Sequence, residues 1–226
     1  DLTTSYAGLK LKSPLIVSSS GLTNSVDRIR KMAASGAGAV VLKSLFEEQI
    51  LHEIGNMASA ADYPEAGDYL KTYARENSVE SYLTLIRDAK KAVDIPVIAS
   101  INCVSGTEWV EFAGKIESAG ADALELNIYL LPIDKEKDPR FYENAYLDLV
   151  SAVRKNSSLP LVVKLGSGFS HVAWMVHQLS LRGASATVLF NRFYTPDIDT
   201  KDLTFGSSEV LSSPADLRHS LRWIGI

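Results

Sequence analysis

The chain has 226 residues, 46% hydrophobic and 22% charged, which is enough for one sizeable core and too much for a peptide module. No apolar window approaches the roughly eighteen residues of a membrane span, and the start shows no basic stretch followed by an apolar one, so a soluble protein of the cytoplasm is expected. A net charge of −4 gives no footprint for nucleic acid or anionic lipid, and a lone cysteine, Cys103, excludes an internal disulfide and a multi-cysteine metal site, which leaves small-molecule chemistry as the leading class.

In chain order, six short apolar runs predict strands, at residues 15–18, 39–42, 96–101, 123–128, 161–165 and 186–190. They are continuous rather than alternating, the pattern of strands buried on both faces of a parallel sheet. Stripes of helical period fall between them. Val26, Ile29, Met32 and Ala33 make the first, and Val79, Tyr82, Leu83, Ile86 and Ala89 the second. Tyr142, Tyr146, Leu149, Val150 and Val153 follow, then Val172, Met175, Val176 and Leu179. A last helix opens on Ser213 as cap with Pro214 at its first position, and turns Leu217, Leu221 and Ile224 inward together. Glycines at 36, 120 and 183 close helices just before a strand, the punctuation of repeated βα units.

Three connections, 46–72, 130–140 and 192–212, exceed the usual loop length and all follow strands. They would gather at the carboxyl ends of a parallel sheet or barrel, where such folds build their sites; disordered surface insertions are the alternative. No linker divides the chain, so residues 1–226 form a single domain. Six strands do not close an eight-stranded barrel. An open doubly wound sheet is one solution; the other is a TIM (β/α)8 barrel with about six of its eight βα units present, cut short at the carboxyl end. The second is preferred because residues 219–226 run out without a stop signal.

Polar residues stand at the ends of these runs. Ser18, Ser19, Ser20 and Gly21 end the first, Lys43 and Ser44 the second, Asn127 lies in the fourth, Lys164 in the fifth, and Phe190 and Asn191 end the sixth. A lysine inside an apolar strand is costly unless its ammonium meets an anion or several acceptors. Either lysine alone could snorkel to the rim or pair with Glu125, either asparagine could serve loop backbone, and residues 18–21 could be only a turn. Strand ends of a barrel converge on one mouth, however, so these positions would line a common pocket for a charged, hydrogen-bonding ligand.

The segments Ser-Pro-Leu-Ile-Val-Ser-Ser-Ser-Gly-Leu at 13–22, Gly-Ala-Val-Val-Leu-Lys-Ser at 38–44, Ala-Leu-Glu-Leu-Asn at 123–127, Leu-Val-Val-Lys-Leu at 161–165 and Phe-Asn at 190–191 resemble the class 1 dihydroorotate dehydrogenases, in order over nearly the whole chain. That family consists of FMN-dependent (β/α)8 barrels. The resemblance implies an oxidoreductase of pyrimidine biosynthesis that passes hydride from dihydroorotate to flavin. It places Ser20, Lys43, Ser44, Asn127, Lys164, Phe190 and Asn191 at FMN, with Lys43, Asn127 and Asn191 also at the substrate. Lys43 and Lys164 are the catalytic candidates, Lys164 against the N1/O2 edge where charge develops on reduction. It implies a small-molecule partner resembling dihydroorotate, an electron acceptor the sequence does not name, and a homodimer, with residues 192–212 as a surface for pairing. The phosphate cradle would follow strands seven and eight, beyond Ile226.

Two departures qualify the resemblance. Three residues after the strand-four asparagine the family has a cysteine or serine as base; Leu130 stands here and cannot take a proton. The substrate loop after strand two is replaced around residues 61–67. A flavin-binding barrel that has lost or changed the reaction is therefore the alternative. Cys103, Tyr129 and Asp134 are the nearest candidates for a substitute base, and none is assigned. No metal is expected: His171 and His177 are six apart, off a common helical face and without a joining carboxylate.

Overall fold

The computed structural model describes residues 1–46, 66–102, 106–128, 130, 132–191, 196–207 and 212–226. The chain begins with an antiparallel hairpin of β1 (Thr4–Tyr6) and β2 (Leu9–Leu11), turning through Ala7 and Gly8 at φ 51° and 84°. The left-handed values at both turn residues match the twist of a tight hairpin. Strand and helix then alternate: β3 (Ile16–Val17), α1 (Val26–Ala34), β4 (Ala39–Val41), β5 (Leu45–Phe46) and α2 (Ala66–Ala92) come first. They are followed by β6 (Val97–Asn102), α3 (Gly106–Ser118), β7 (Ala123–Asn127), α4 (Pro139–Asn156), β8 (Leu161–Leu165), α5 (Val172–Leu181) and β9 (Ala184–Leu189). A second hairpin, β10 (Pro196–Asp199) with β11 (Thr204–Ser207), precedes the final α6 (Leu217–Ile224).

The main sheet is parallel throughout, in the order β3-β4-β6-β7-β8-β9, with β5 also paired to β6. Each of its six principal strands overlaps one of the predicted runs. The sheet curls into a partial TIM barrel with helices on its outer face. Alternation divides each strand between two environments. Val40, Leu42, Val97, Ala99, Ile101, Leu124, Leu126, Leu161, Val163 and Leu165 face the helices, where they meet Ile29, Ile86, Trp109, Phe112, Ile116, Tyr146, Val150, Val153 and Met175. Ala39, Val41, Ile98 and Ala123 face inward, and the first hairpin covers their end of the barrel with Tyr6, Leu9 and Leu11.

Two polar details hold the strands in register. Asp122, before β7, accepts from the Val97 amide at 2.7 Å and from the Lys90 ammonium at 2.7 Å, which ties β6, β7 and the end of α2 together. Asp138 caps α4 by accepting from the Arg140 amide at 2.8 Å, with Pro139 at the first helical position.

Several elements differ from the sequence expectation. The connection 192–212 contains the second hairpin, and α2 reaches back to Ala66, well before its apolar stripe begins. The final helix starts at Leu217 rather than after Ser213, because Asp216 closes a preceding turn by accepting from the Ser213 amide at 2.8 Å. Its apolar face does not point inward: Leu217, Leu221 and Ile224 are 59%, 55% and 67% exposed. The stripe marks a face suited to burial, and among the described residues nothing covers it.

Gly38 sits where β4 starts against residues 13–15, donating to the Leu15 carbonyl at 2.8 Å. A Cβ at this position would run into the Ser13 carbonyl, whose carbon would lie only 2.9 Å away, whereas a Cβ at Gly114 on α3 meets nothing. Gly38→Ala is expected to cost on the order of 2 kcal/mol in chemical denaturation, and Gly114→Ala to add up to about 1 kcal/mol. Equal effects of the two would contradict this packing of β3 on β4.

Candidate active site

The inner face turns polar toward the carboxyl ends of the strands. On β7 the inward series runs Ala123, Glu125, Asn127, and its partners on β8 are Val162 opposite Glu125 and Lys164 opposite Asn127. On β6 the series is Ile98 then Ser100, with Ser100 opposite Glu125. Small apolar side chains thus give way to a layer of Ser100 and Glu125, and above it to Asn127 and Lys164.

Ser44, between β4 and β5, joins that layer to the strand ends around it. Its hydroxyl lies 2.8 Å from Ser100 Oγ, 3.1 Å from Ser19 Oγ and 3.4 Å from Asn127 Nδ2. Its amide donates to Ser19 Oγ at 2.9 Å, and Ser100 Oγ donates to Glu125 Oε1 at 3.3 Å. A hydroxyl has one hydrogen and two lone pairs. One assignment satisfies every group: Ser19 and Asn127 donate to Ser44, Ser44 donates to Ser100, and Ser100 donates to the carboxyl. Asn191 extends the chain, giving Nδ2–H to Asn127 Oδ1 at 2.7 Å and its own amide to the Leu165 carbonyl at 2.6 Å.

Of the residues singled out in sequence, Ser44, Asn127 and Asn191 are therefore hydrogen-bonded together, and Lys164 is the register neighbour of Asn127. Lys43 immediately precedes Ser44, its amide bonded to the Thr23 carbonyl at 3.3 Å. Among the described residues the ammonium of neither Lys43 nor Lys164 makes a hydrogen bond or ion pair. Phe190 packs on the core edge, 5.0 Å from the His219 ring. Ser20 is placed differently from its neighbours. It caps the short turn Gly21–Thr23, its hydroxyl accepting from the Leu22 amide at 3.2 Å, while Ser19 takes the place in the network. Cys103 and Tyr129 lie outside the described residues. Asp134 is exposed and turns its carboxylate onto its own loop, accepting from the Glu136 amide at 3.0 Å.

Glu125 is 3% exposed, and burial pushes its carboxyl above the ordinary range, while the charge of Lys164 and the Ser100 hydroxyl pull it back. Tyr6, from the hairpin below, is pushed up to about 12 by burial and then by Glu125. Ser19 stands in the network as one of the polar residues that end the first run, while strand-end reasoning gives Ser100 and Glu125 no place in the site. The signal for the latter two was in the sequence, since each is a polar residue in a run that is otherwise apolar on both faces.

No family model matches the chain. It is 28% identical over 208 residues to the catalytic subunit of dihydroorotate dehydrogenase B (NAD(+)) of Thermoplasma acidophilum, covering 89% of this chain and 65% of that one. Over 226 residues it is 25% identical to the subunit of the same name in Thermoplasma volcanium, covering 94% and 68%. The NAD-dependent dihydropyrimidine dehydrogenase subunit PreA of Escherichia coli K12 is 25% identical over 189 residues, covering 73% and 42%. The chain is similar to dihydroorotate dehydrogenases. It spans about two thirds of the two Thermoplasma subunits and less than half of PreA.

Leu130, where the resemblance implies a base, is 40% exposed. Leu130 lines a cleft of about 820 Å³ with Pro132, Tyr142, Tyr146, Gly166 and Phe169, at the carboxyl ends of β7 and β8. Tyr146 and Phe169 meet edge to face at 5.1 Å, and Tyr146 donates to the Ile128 carbonyl at 3.0 Å. Asp134 is on the same wall. No helix among the described residues is long and apolar enough to cross a membrane.

The raised Glu125 carboxyl sets a sign for stability. A folded-state pKa above the unfolded value favours folding while the group is protonated in both states, and that contribution is lost as pH rises through the folded value. Glu125→Gln, which keeps an acceptor for Ser100, is expected to gain stability relative to wild type as pH climbs from about 4.5 toward neutrality. Denaturant midpoints of both proteins across that range test this; a difference that shrinks with pH would show that the carboxylate is favoured instead.

Proposed function

We propose that the chain forms the larger part of an FMN-dependent oxidoreductase barrel, with the flavin ring seated on the polar strand ends and dihydroorotate, or a cyclic amide carboxylate like it, as the reductant. The observation that carries this reading is the pairing of Asn127 with Lys164 in register on β7 and β8, with Asn191 tied to Asn127 and Ser44 beneath. The donor set suits the group. An isoalloxazine edge offers several acceptors and one imide donor. Among the described residues, Asn127 and Asn191 each keep an amide hydrogen, and neither ammonium group makes a hydrogen bond or ion pair.

When bound, FMN would supply a two-electron acceptor whose N1/O2 edge gains negative charge on reduction. Lys164 is the residue to stabilise that charge, as a fixed ammonium that needs no reorganisation at the moment of transfer. Asn127 would orient both ring and substrate, Lys43 would draw in the substrate carboxylate, and Ser19 and Ser44 hold the first two strand ends in place. Ser20 and Phe190 belong to the border of the same site. A cytoplasmic location and pairing with a second copy complete this reading.

One residue favours a second reading. With Leu130 where the family has its base, the barrel would bind flavin without oxidising dihydroorotate. The full-length protein separates the two. Visible flavin absorbance with dihydroorotate-dependent bleaching supports the first reading, bound flavin without bleaching supports the second, and colourless protein that does not take up FMN removes both. In a bleaching protein, Lys164→Ala is expected to slow flavin reduction by about 100-fold or more with little change in the unfolding midpoint. An unchanged reduction rate would take Lys164 out of the mechanism.

A further inference from the structure

The ladder between the second and third principal strands is broken where Lys43 and Ser44 lie. Strand β4 pairs with β6 as far as Val41 opposite Ile98, and the Leu42 amide still donates to the Ile98 carbonyl at 2.9 Å. Pairing resumes on β5, with Leu45 opposite Ile101 and Phe46 opposite Asn102. In a strand the amide and carbonyl of alternate residues face the same neighbour. Ser100, two residues after Ile98, therefore directs both backbone groups into the gap that residues 43 and 44 vacate.

Tyr82 fills that gap. From α2 its hydroxyl donates to the Ser100 carbonyl at 2.9 Å and accepts from the Ser100 amide at 2.8 Å, doing with one oxygen what a neighbouring strand would do with two groups. Its ring is buried in the layer between helices and sheet. Two unpaired backbone groups at this depth would be costly, and the simplest relief would be for residues 43–44 to return to the ladder. Their amides would then abandon the Thr23 carbonyl and Ser19 Oγ, and Ser44 Oγ would leave Ser100 and Asn127.

We propose that Tyr82 is a positioning residue, whose hydroxyl substitutes for the missing strand contact at Ser100 and so keeps Lys43 and Ser44 displaced toward the site. Its bearing on flavin rests on the function proposed above, whereas its bearing on the backbone does not.

Tyr82→Phe removes the oxygen and keeps the ring. Ile86→Val, on the same helix and fully buried, serves as a core-weakening control. In hydrogen exchange of the full chain, Tyr82→Phe is expected to speed the Ser100 and Ser44 amides by about 10-fold relative to the β6 amides that face β7. Ile86→Val should leave those ratios alone. FMN titrated by fluorescence quenching should bind about 10-fold more weakly to Tyr82→Phe than to the control. Protection at Ser44 equal in the two variants, or an FMN affinity that does not move in a protein that binds it, overturns the proposal. Should wild type ignore FMN, the flavin reading falls. Exchange at Ser44 then decides the positioning role, with local loss of protection sustaining it and unchanged protection ending it.

Discussion

The constraint on which the interior depends is that one buried hydroxyl, on Ser44, must satisfy three neighbours at once. Through it the ends of β3, β4, β6 and β7 are tied by hydrogen bonds of 2.8 to 3.4 Å, and Asn191 brings in the end of β9. Each such bond is worth only about 0.5–1.5 kcal/mol net, but a buried partner left without one costs about 1–3 kcal/mol. The network therefore adds little bulk stability while strongly disfavouring any strand slip that would separate its members. Polar order at the mouth of the barrel is thus a condition of the fold as well as a resource for chemistry.

The strands were legible because two separate pressures both leave apolar or small residues. The outward positions of β4, β6, β7 and β8 pack on helices, and the inward positions near the hairpin have room only for Ala39, Val41, Ile98 and Ala123. A run that is apolar on both faces results, and it marks the strand to within a residue or two. The hairpins had no such signature. Thr4–Tyr6 and Leu9–Leu11 are three residues each, and Pro196–Asp199 carries a proline and two aspartates, which read as a loop. The long helix was half legible, since its stripe begins only at Val79 although the backbone is helical from Ala66. The last helix shows the opposite failure. Its amphipathic spacing was read correctly as a stripe and wrongly as a buried one, because spacing defines a face and says nothing of what lies opposite.

Within the site, residue type and strand-end position together singled out Ser44, Asn127, Lys164 and Asn191, which do come together. At the first strand the network takes in Ser19 rather than Ser20, and the difference has a definite cause. Pairing of β3 stops at Val17, so the two-residue alternation no longer fixes which of three successive serines points inward. Ser20 is diverted by a local alternative, the reciprocal cap with Thr23, in which the Ser20 amide donates to Thr23 Oγ1 at 3.2 Å. Tyr82 was legible only as one member of an apolar stripe. That its hydroxyl serves a backbone gap depends on where β4 ends, and no periodicity carries that information.

The burial of Glu125 and the charge of Lys164 act on its carboxyl in opposite directions. A carboxylate as close to the site as Glu125 would ordinarily pair with Lys164 and remove its appeal to an anion. Desolvation acts against the charged form of the acid more strongly than Lys164 favours it, so the carboxyl is shifted toward its neutral state. The carboxyl accepts from Ser100 and completes the hydroxyl chain. On β7 the acid stands one inward position below Asn127, the residue in register with Lys164.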